Sequence, residues 1–234
     1  MIIFLFFLLS LLMAIEASTS LSRMSGYAIK CPEGGLILQS SLALLSRMIM
    51  FMFMPFLGFL SDINQLESTY YSYILFYLLF PTALGGVYFF RNNIINLYIN
   101  LINRISINGS FFSGKTSLFT NSIHKFRDDK DLKPLNSFFI LAFVAYVPYY
   151  LSWPLIILLL NEFNEYRGMI LGLSSVFNGV NTILLTLFID PMLVKLGRYS
   201  SLLASIYSKL VLLRIYSSLL SLLLFLFFLF CIEY

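Results

Sequence analysis

The sequence predicts an all-α membrane protein: a single domain built as a bundle of about six transmembrane helices, with one further helix at the membrane interface. Hydrophobic residues make up 59% of the 234 residues and charged residues only 11%, whereas ordinary soluble domains contain roughly 45–50% and about 25%. The mean hydropathy is +0.88. The apolar residues also form continuous runs of the length that crosses a bilayer as a helix, without the alternation of a membrane β-barrel.

Six apolar segments are long enough to span a membrane, because about 20 residues suffice for one crossing. The first is predicted to be a retained helix and not a signal peptide, since it lacks a basic start and a small-residue cleavage site and contains Glu16. The predicted helices cover residues 1–22, 36–60, 70–90, 137–160, 168–195 and 203–231.

The Lys and Arg residues in the connections and at the ends of these segments predict the orientation, because cytoplasmic loops carry an excess of both. Lys209 and Arg214 are assigned to the cytoplasmic base of the last helix. Arg167 is alone on one side. The other side has Arg23, Lys30, Arg91, Arg104, Lys115, Lys125, Arg127, Lys130, Lys133, Lys195, Arg198, Lys209 and Arg214. Both termini are therefore expected outside and residues 91–136 in the cytoplasm, which also separates Cys31 from Cys231 and leaves both as free thiols.

The cytoplasmic loop at residues 91–136 contains a predicted interfacial helix and a misleading motif. Residues 94–107 carry apolar side chains at helical spacing, namely Ile94, Ile95, Tyr98, Ile102 and Ile105. Residues 109–116 satisfy the P-loop expression G-x-x-x-x-G-K-[ST]. A P-loop binds phosphate only between a strand and a helix of an α/β sheet, which this loop is too short to build, so we expect no nucleotide.

Three ionisable residues lie within or beside the first two helices. Glu16 and Arg23 share a helix face two turns apart, about 10.5 Å along the axis, and Arg47 lies inside the second helix. A charge at membrane depth costs about 2.5–3.5 kcal/mol, so something must compensate for it. We expect the three to line one polar cleft, in which arginine could grip phosphate oxygens. The alternatives are that Arg23 snorkels to the interface and that Arg47 pairs with a carboxylate.

The fifth helix combines a stripe of small residues with polar groups. The stripe predicts close packing, either within the bundle or in a dimer, and contains Gly168, Gly172, Ser175, Gly179, Thr182 and Thr186. Asn178 and Asn181 lie beside it, and Asp190-Pro191 closes the helix. We expect Asn178 and Asp190 to face the cavity. Pro55, Pro148 and Pro154 lie within spans and could kink their helices.

Several stretches resemble the Amj family of alternate lipid II flippases. In the first two helices these are Ser20 to Gly26 after the acidic Glu16, then Ser46-Arg47, Pro55 to Gly58 and Asp62; further on they are Gly109-Ser110, Leu173-Ser174, Asn178-Gly179, Thr182 and Ile189 to Pro191. The resemblance implies a flippase that moves undecaprenyl-diphosphate-linked peptidoglycan precursor across a bacterial cytoplasmic membrane in cell-wall synthesis. It implies a substrate site at Glu16, Arg23, Arg47, Asn178 and Asp190. Membrane lipids and a second copy of the chain are the other expected partners.

Three rival functions compete with this one. An enzyme acting on a lipid would need an acid, a base or a metal, but the spans contain no His, Asp128, Asp129 and Asp131 lie in a loop, and no metal-ligand spacing occurs. We therefore expect no catalytic activity, metal, cofactor or nucleic acid. A non-transport subunit of a membrane complex would have its buried charges satisfied by neighbours. A flippase for another polyprenyl-linked glycan would carry the same residues.

Overall fold

The computed structural model of the chain describes residues 2–63, 70–111, 136–197 and 200–233 and contains helices and no strand within these ranges. The eight α-helices are α1 (Ile2–Ala28), α2 (Pro32–Asp62), α3 (Tyr70–Phe89), α4 (Arg91–Asn108), α5 (Asn136–Glu162), α6 (Arg167–Leu184), α7 (Asp190–Gly197) and α8 (Ser200–Glu233). The predicted all-α bundle is confirmed. The part of the loop from residue 112 to 135, with Asp128, Asp129 and Asp131, lies outside the described residues.

Within the described ranges, five stretches of helix are long and apolar enough to cross a membrane: Ile3–Ala28, Pro32–Asp62, Asn136–Glu162, Arg167–Lys195 and Ser205–Cys231. The predicted third span coincides with α3, whose described apolar part is the shorter stretch Leu78–Phe89. Many large apolar side chains point outward, among them Phe51 at 79% exposure and Phe89 at 80%. A surface of this kind is stable against lipid and not against water, so the chain is a membrane-embedded protein.

Helix α1 forms a tight hairpin with α2, and small residues make it possible. A Cβ added at Gly26 would lie 2.8 Å from the Gly35 Cα and 2.9 Å from the Cys31 carbonyl oxygen, so the two backbones touch there. The Cys31 N–H donates to the Gly26 carbonyl at 2.8 Å, and Pro32 begins α2, where its missing N–H costs nothing. Lipid tails do not drive helices together, which is why such close approach matters.

Helix α4 packs across α1 and supplies the predicted amphipathic helix. It buries Ile95, Tyr98, Ile99 and Ile102, and the Tyr98 hydroxyl donates to the Ser18 Oγ at 2.6 Å. Gly109 ends the helix in the left-handed conformation with φ 64°, which glycine adopts without strain. Gly109, the first residue of the P-loop expression, is thus a helix cap after a helix and does not follow a strand.

Helices α5 and α8 run parallel and are joined by serines. Ser217 and Ser221 of α8 donate to the Phe143 and Val147 carbonyl oxygens of α5 at 3.1 and 2.9 Å. Trp153 of α5 is completely buried and makes an edge contact with Phe53 of α2, with ring centroids 5.1 Å apart. These contacts connect both halves of the chain in one core.

Opposite ends of the bundle carry different charges. At one end lie the turn between α1 and α2 with the exposed Lys30, and the exposed Lys195 of α7. At the other end Asp62 pairs with Arg167 at 2.6 Å, the exposed Glu162 ends α5, and the exposed Glu165 follows it. Cys31 and Cys231 are free thiols, as predicted.

The glycines of the small-residue stripe of α6 make no packing contact with the described residues of the bundle, so that alternative was wrong for this part of the chain. A Cβ built on Gly168, Gly172 or Gly179 meets nothing within 4 Å. The predicted fifth span, residues 168–195, is confirmed as the stretch Arg167–Lys195, but it does not close at Asp190-Pro191: a π-helical turn at Leu185–Ile189 joins α6 to α7, with the Asp190 N–H bonded to the Leu185 carbonyl. Pro191 lacks an N–H, and the wider turn precedes it.

The glycine contact between α1 and α2 makes a testable prediction. Gly26→Ala should lower the free energy of unfolding by about 1–3 kcal/mol, the typical cost of overpacking. The matched change Gly172→Ala fills open space on a helix and should raise stability by up to about 1 kcal/mol. Thermal unfolding in detergent, followed by the fluorescence of Trp153, the single tryptophan, measures both. Equal effects of the two changes would contradict the close approach.

Candidate functional site

A pocket of about 380 Å³ lies inside the bundle and is lined by α1, α2, α5, α6, α7, α8 and the π-helical turn. The structure brings together all five residues proposed from the sequence: Glu16, Arg23, Arg47, Asn178 and Asp190 line this one pocket. The prediction that Glu16, Arg23 and Arg47 share a polar cleft is therefore confirmed as geometry.

Helical spacing explains how α1 and α2 present these groups. In α1 the lining residues Leu12, Glu16, Thr19, Ser20 and Arg23 recur every three or four positions, so they share one face. The lining residues of α2 follow the same rule and comprise Gln39, Ala43, Ser46, Arg47 and Met50. The opposite face of α1 buries Ser18, Leu21 and Ser25, which fixes the rotation of the helix.

Arg23 connects three helices at one end of the pocket. Its Nη1 lies 3.1 Å from the Asp190 Oδ1, and the side chain is only 11% exposed. Its Nε donates to the Gln39 Oε1 of α2. The alternative that Arg23 snorkels to the interface was therefore wrong. The guanidinium is thus held between a carboxylate and an amide oxygen at this end of the pocket.

Glu16 lies two turns further along α1 and accepts a hydrogen bond from the Tyr149 hydroxyl of α5. Both residues line the pocket, and the partial exposure of Glu16 is consistent with a carboxyl that faces it. Sequence reasoning missed Tyr149, because a tyrosine in an apolar span carries no signal of its partner.

Arg214 is the largest correction to the predicted site. It was assigned to the cytoplasmic base of the last helix, but it lies within the span Ser205–Cys231, is 8% exposed and lines the pocket. Its Cζ stacks on the Tyr146 ring, 4.4 Å from the centroid, a cation–π contact that partly replaces water. The signal that could have found it is its position inside an apolar run, the reasoning already applied to Arg47.

Arg47 differs from the other two arginines because it is exposed where α2 borders the pocket. Among the described residues it makes no hydrogen bond or ion pair. The alternative that it pairs with a carboxylate was wrong for this part of the chain. An unpaired guanidinium beside a membrane pocket is free to bind an anion.

The pocket opens between α2 and α6. These helices meet near one end, where Arg167 pairs with Asp62 and Gly58 faces Leu171. The exposed lining residues are Arg47 of α2, Thr182 of α6 and Thr186 of the π-helical turn, which places the opening between these helices. The predicted cavity positions of Asn178 and Asp190 are confirmed. Beside them, the Asn181 Oδ1 is buried without a hydrogen-bond partner among the described residues.

The charges of the pocket favour an anion. Three guanidinium groups, those of Arg23, Arg47 and Arg214, face two carboxyl groups, those of Glu16 and Asp190. Within the described ranges no cluster of His, Cys, Asp and Glu could hold a metal ion. Arginine holds its charge even when partly dehydrated and binds phosphate oxygens through paired N–H groups, so a phosphate group suits this arrangement.

The fold and the pocket define a polytopic helical membrane protein with a charged internal pocket. No protein-family description, curated protein or solved structure matches the chain. What it transports or binds is therefore argued from the pocket and from the resemblance noted in the sequence.

The ion pairs Arg23–Asp190 and Asp62–Arg167 differ in burial, so removing each carboxylate tests how burial changes the contribution of a pair to stability. Asp190→Ala should lower the free energy of unfolding by about 1–3 kcal/mol, because it leaves the guanidinium of Arg23 without its partner. Breaking a completely buried pair costs about 3–5 kcal/mol. The expected loss is smaller here because the Asp190 side chain keeps 32% exposure. Asp62→Ala removes a pair whose carboxylate is 65% exposed and should cost at most about 1 kcal/mol. Thermal unfolding in detergent measures both, and adding Arg23→Met to Asp190→Ala should recover part of the loss. A larger cost for Asp62→Ala would contradict this assignment.

Proposed function

We propose that this protein is a flippase that moves a polyprenyl-diphosphate-linked glycan across a bacterial cytoplasmic membrane, with the peptidoglycan precursor lipid II as its cargo. The observation that carries the proposal is the unpaired guanidinium of Arg47 at the opening of a membrane pocket. The guanidinium of Arg23, which is paired with Asp190, is a second cationic group in the same pocket. Together they offer the diphosphate two cationic groups, while the prenyl chain stays in the lipid.

The size of the pocket supports binding of the diphosphate in particular. Drug-sized ligands occupy roughly 300–1,000 Å³, and about 380 Å³ is at the lower end of that range. The diphosphate and an adjoining sugar fit this volume, whereas the complete disaccharide pentapeptide does not. Transport therefore requires the pocket to widen.

Widening is easiest where α6 meets α2. Helix α6 has few buried residues, namely Ile170 and Ser174, and its glycines touch no neighbour. The α1–α2 and α5–α8 pairs are held by close backbone contact and by serine hydrogen bonds. We infer that α6 and α7 move against these pairs and expose the pocket to one side and then the other, as in alternating access.

The identity of the cargo rests on the resemblance to the Amj family, because the phosphate chemistry is common to all polyprenyl diphosphates. A flippase for another polyprenyl-linked glycan is therefore the close alternative. The open small-residue face of α6 is the one observation that favours a protein partner, and a second copy of this chain fits it in the manner of other small-residue helix contacts. A non-transport subunit would use the same face for a different protein.

A reconstituted transport assay tests the proposal. Vesicles containing the purified protein should translocate fluorescent lipid II, and Arg47→Ala should slow the initial rate roughly tenfold to a hundredfold, because a hydrogen bond to a charged group is worth about 1.5–3 kcal/mol. Arg47→Lys keeps the charge and should lose less.

The control variant is Lys195→Gln, which removes an exposed cation that does not line the pocket, and it should transport at the rate of the unmodified protein. Failure of the unmodified protein to move lipid II while moving another polyprenyl-diphosphate glycan would change the cargo. Failure with every polyprenyl diphosphate, in vesicles that contain folded protein, would end the transport proposal.

The proposed orientation, with both termini outside, is tested by thiol labelling. Its support is the excess of cations at the end that contains Lys30 and Lys195. In intact cells, an impermeant thiol reagent should label the exposed Cys231 and should not label a cysteine introduced by Glu33→Cys at the start of α2, in a Cys31→Ser chain. In inverted membrane vesicles the labelling should exchange. The opposite result would reverse the orientation.

A further inference from the structure

We propose that Glu16 is a proton-binding site whose occupancy is coupled to anion binding in the same pocket, so that the protein carries a proton together with its diphosphate cargo. This inference rests on the proposed function, because it takes a diphosphate as the anion. It adds a linkage between proton binding and cargo binding, which the proposed function leaves open.

The first step of the argument is the position of Glu16. Its carboxyl lies at membrane depth, lines the pocket and accepts a hydrogen bond from the Tyr149 hydroxyl. A carboxyl that faces a pocket can exchange a proton with water that enters there. A neutral carboxyl also costs far less than a charged one in hydrocarbon, so both protonation states are accessible at this site.

The second step is the difference between the two carboxyl groups of the pocket. Asp190 has the Arg23 guanidinium 3.1 Å away. Glu16 accepts its hydrogen bond from the neutral phenol of Tyr149. The nearby Arg214 stacks on the Tyr146 ring and forms no ion pair with Glu16 among the described residues. Glu16 can therefore gain or lose a proton without breaking an ion pair, whereas Asp190 cannot.

The ionisable groups around Glu16 come from five helices. They are Arg23 of α1, Arg47 of α2, Tyr146, Tyr149 and Tyr150 of α5, Asp190 of α7 and Arg214 of α8. Helix α6 contributes the uncharged amides of Asn178 and Asn181. Apart from the tyrosines, which are neutral near pH 7, this set is three cations and one carboxylate beside Glu16.

The third step is the charge balance. With both carboxyl groups ionised, three guanidinium groups against two carboxylates give the pocket one net positive charge. Protonation of Glu16 raises this to two. A diphosphate diester carries two negative charges, so the protonated pocket neutralises it completely, and the proton and the cargo favour each other's binding. Such coupling is reciprocal.

The proton step involves no change in the cargo. A proton from water on one side binds a carboxylate oxygen of Glu16 as the diphosphate binds the arginines. After the pocket opens to the other side, the proton returns to water and the carboxylate again competes with the diphosphate for the guanidinium groups. This competition releases the cargo.

Calorimetry with a defined probe tests the coupling. The probe is a short-chain prenyl diphosphate N-acetylglucosamine, a diester whose two phosphates stay charged across the pH range used. Titration of the protein in detergent, repeated in buffers of different ionisation enthalpy, gives the number of protons taken up per bound probe. We expect uptake of up to about one proton, with an affinity that falls by up to about tenfold per pH unit in the alkaline range. Glu16→Gln should bind the probe with no proton uptake and no pH dependence.

Three further variants separate the outcomes. Glu33→Gln removes an exposed carboxyl outside the pocket and should take up protons as the unmodified protein does. Tyr149→Phe keeps the ring and removes the hydrogen bond to Glu16, so it should shift the pH at which uptake is half-complete. Uptake that persists in Glu16→Gln and is lost in Asp190→Asn would overturn the assignment to Glu16.

Binding of the probe without proton uptake would overturn the coupling and leave the proposed function standing. Absence of probe binding to the folded protein would overturn the proposed function and this inference with it. An infrared carboxyl band that titrates in the unmodified protein and is absent from Glu16→Gln identifies the protonated group directly. Absence of that band from the unmodified protein over the pH range of the binding measurements would also overturn the inference.

Discussion

The need to hold guanidinium groups inside hydrocarbon governs this structure. A charged side chain at membrane depth is costly unless other groups replace its water, and the chain places three arginines around one pocket. Arg23 is stabilised by Asp190 and Gln39, and Arg214 by the Tyr146 ring. Arg47 is exposed at the opening of the pocket. These three arrangements decide which faces of α1, α2, α7 and α8 point inward.

The packing divides the bundle into a tight part and a loose part. Where α1 meets α2, glycine allows backbone contact at Gly26 and Gly35, and where α5 meets α8, serine hydroxyls bind backbone carbonyls. Helix α6 packs against α5 and pairs with α2 through Arg167 and Asp62, but its glycines make no close backbone contact with the described residues. The π-helical turn before Pro191 widens its backbone beside the pocket. A pocket between rigid and loosely held helices can change its opening without loss of the fold, which a transporter needs.

The P-loop expression shows why a motif needs its structural context. The letters of residues 109–116 satisfy the pattern, but Gly109 serves as the left-handed cap of α4. Glycine is required there for its backbone conformation, and this requirement does not depend on the residues that follow it. Composition of a membrane loop therefore carries less weight than the position of charges within the spans.

The sequence by itself determined the membrane-embedded helical class, the approximate helix ends and five residues of the pocket. Hydrophobic length and charge placement are local properties that every membrane helix must satisfy, and helical periodicity put Glu16 and Arg23 on one face before any neighbour was known. Only the tertiary structure decided that Arg214 belongs to the pocket, that Tyr149 is the partner of Glu16 and that the small-residue stripe of α6 remains open. Each of these depends on which helix lies beside which, and in lipid that choice is made by close packing and interhelical hydrogen bonds between residues far apart in the chain.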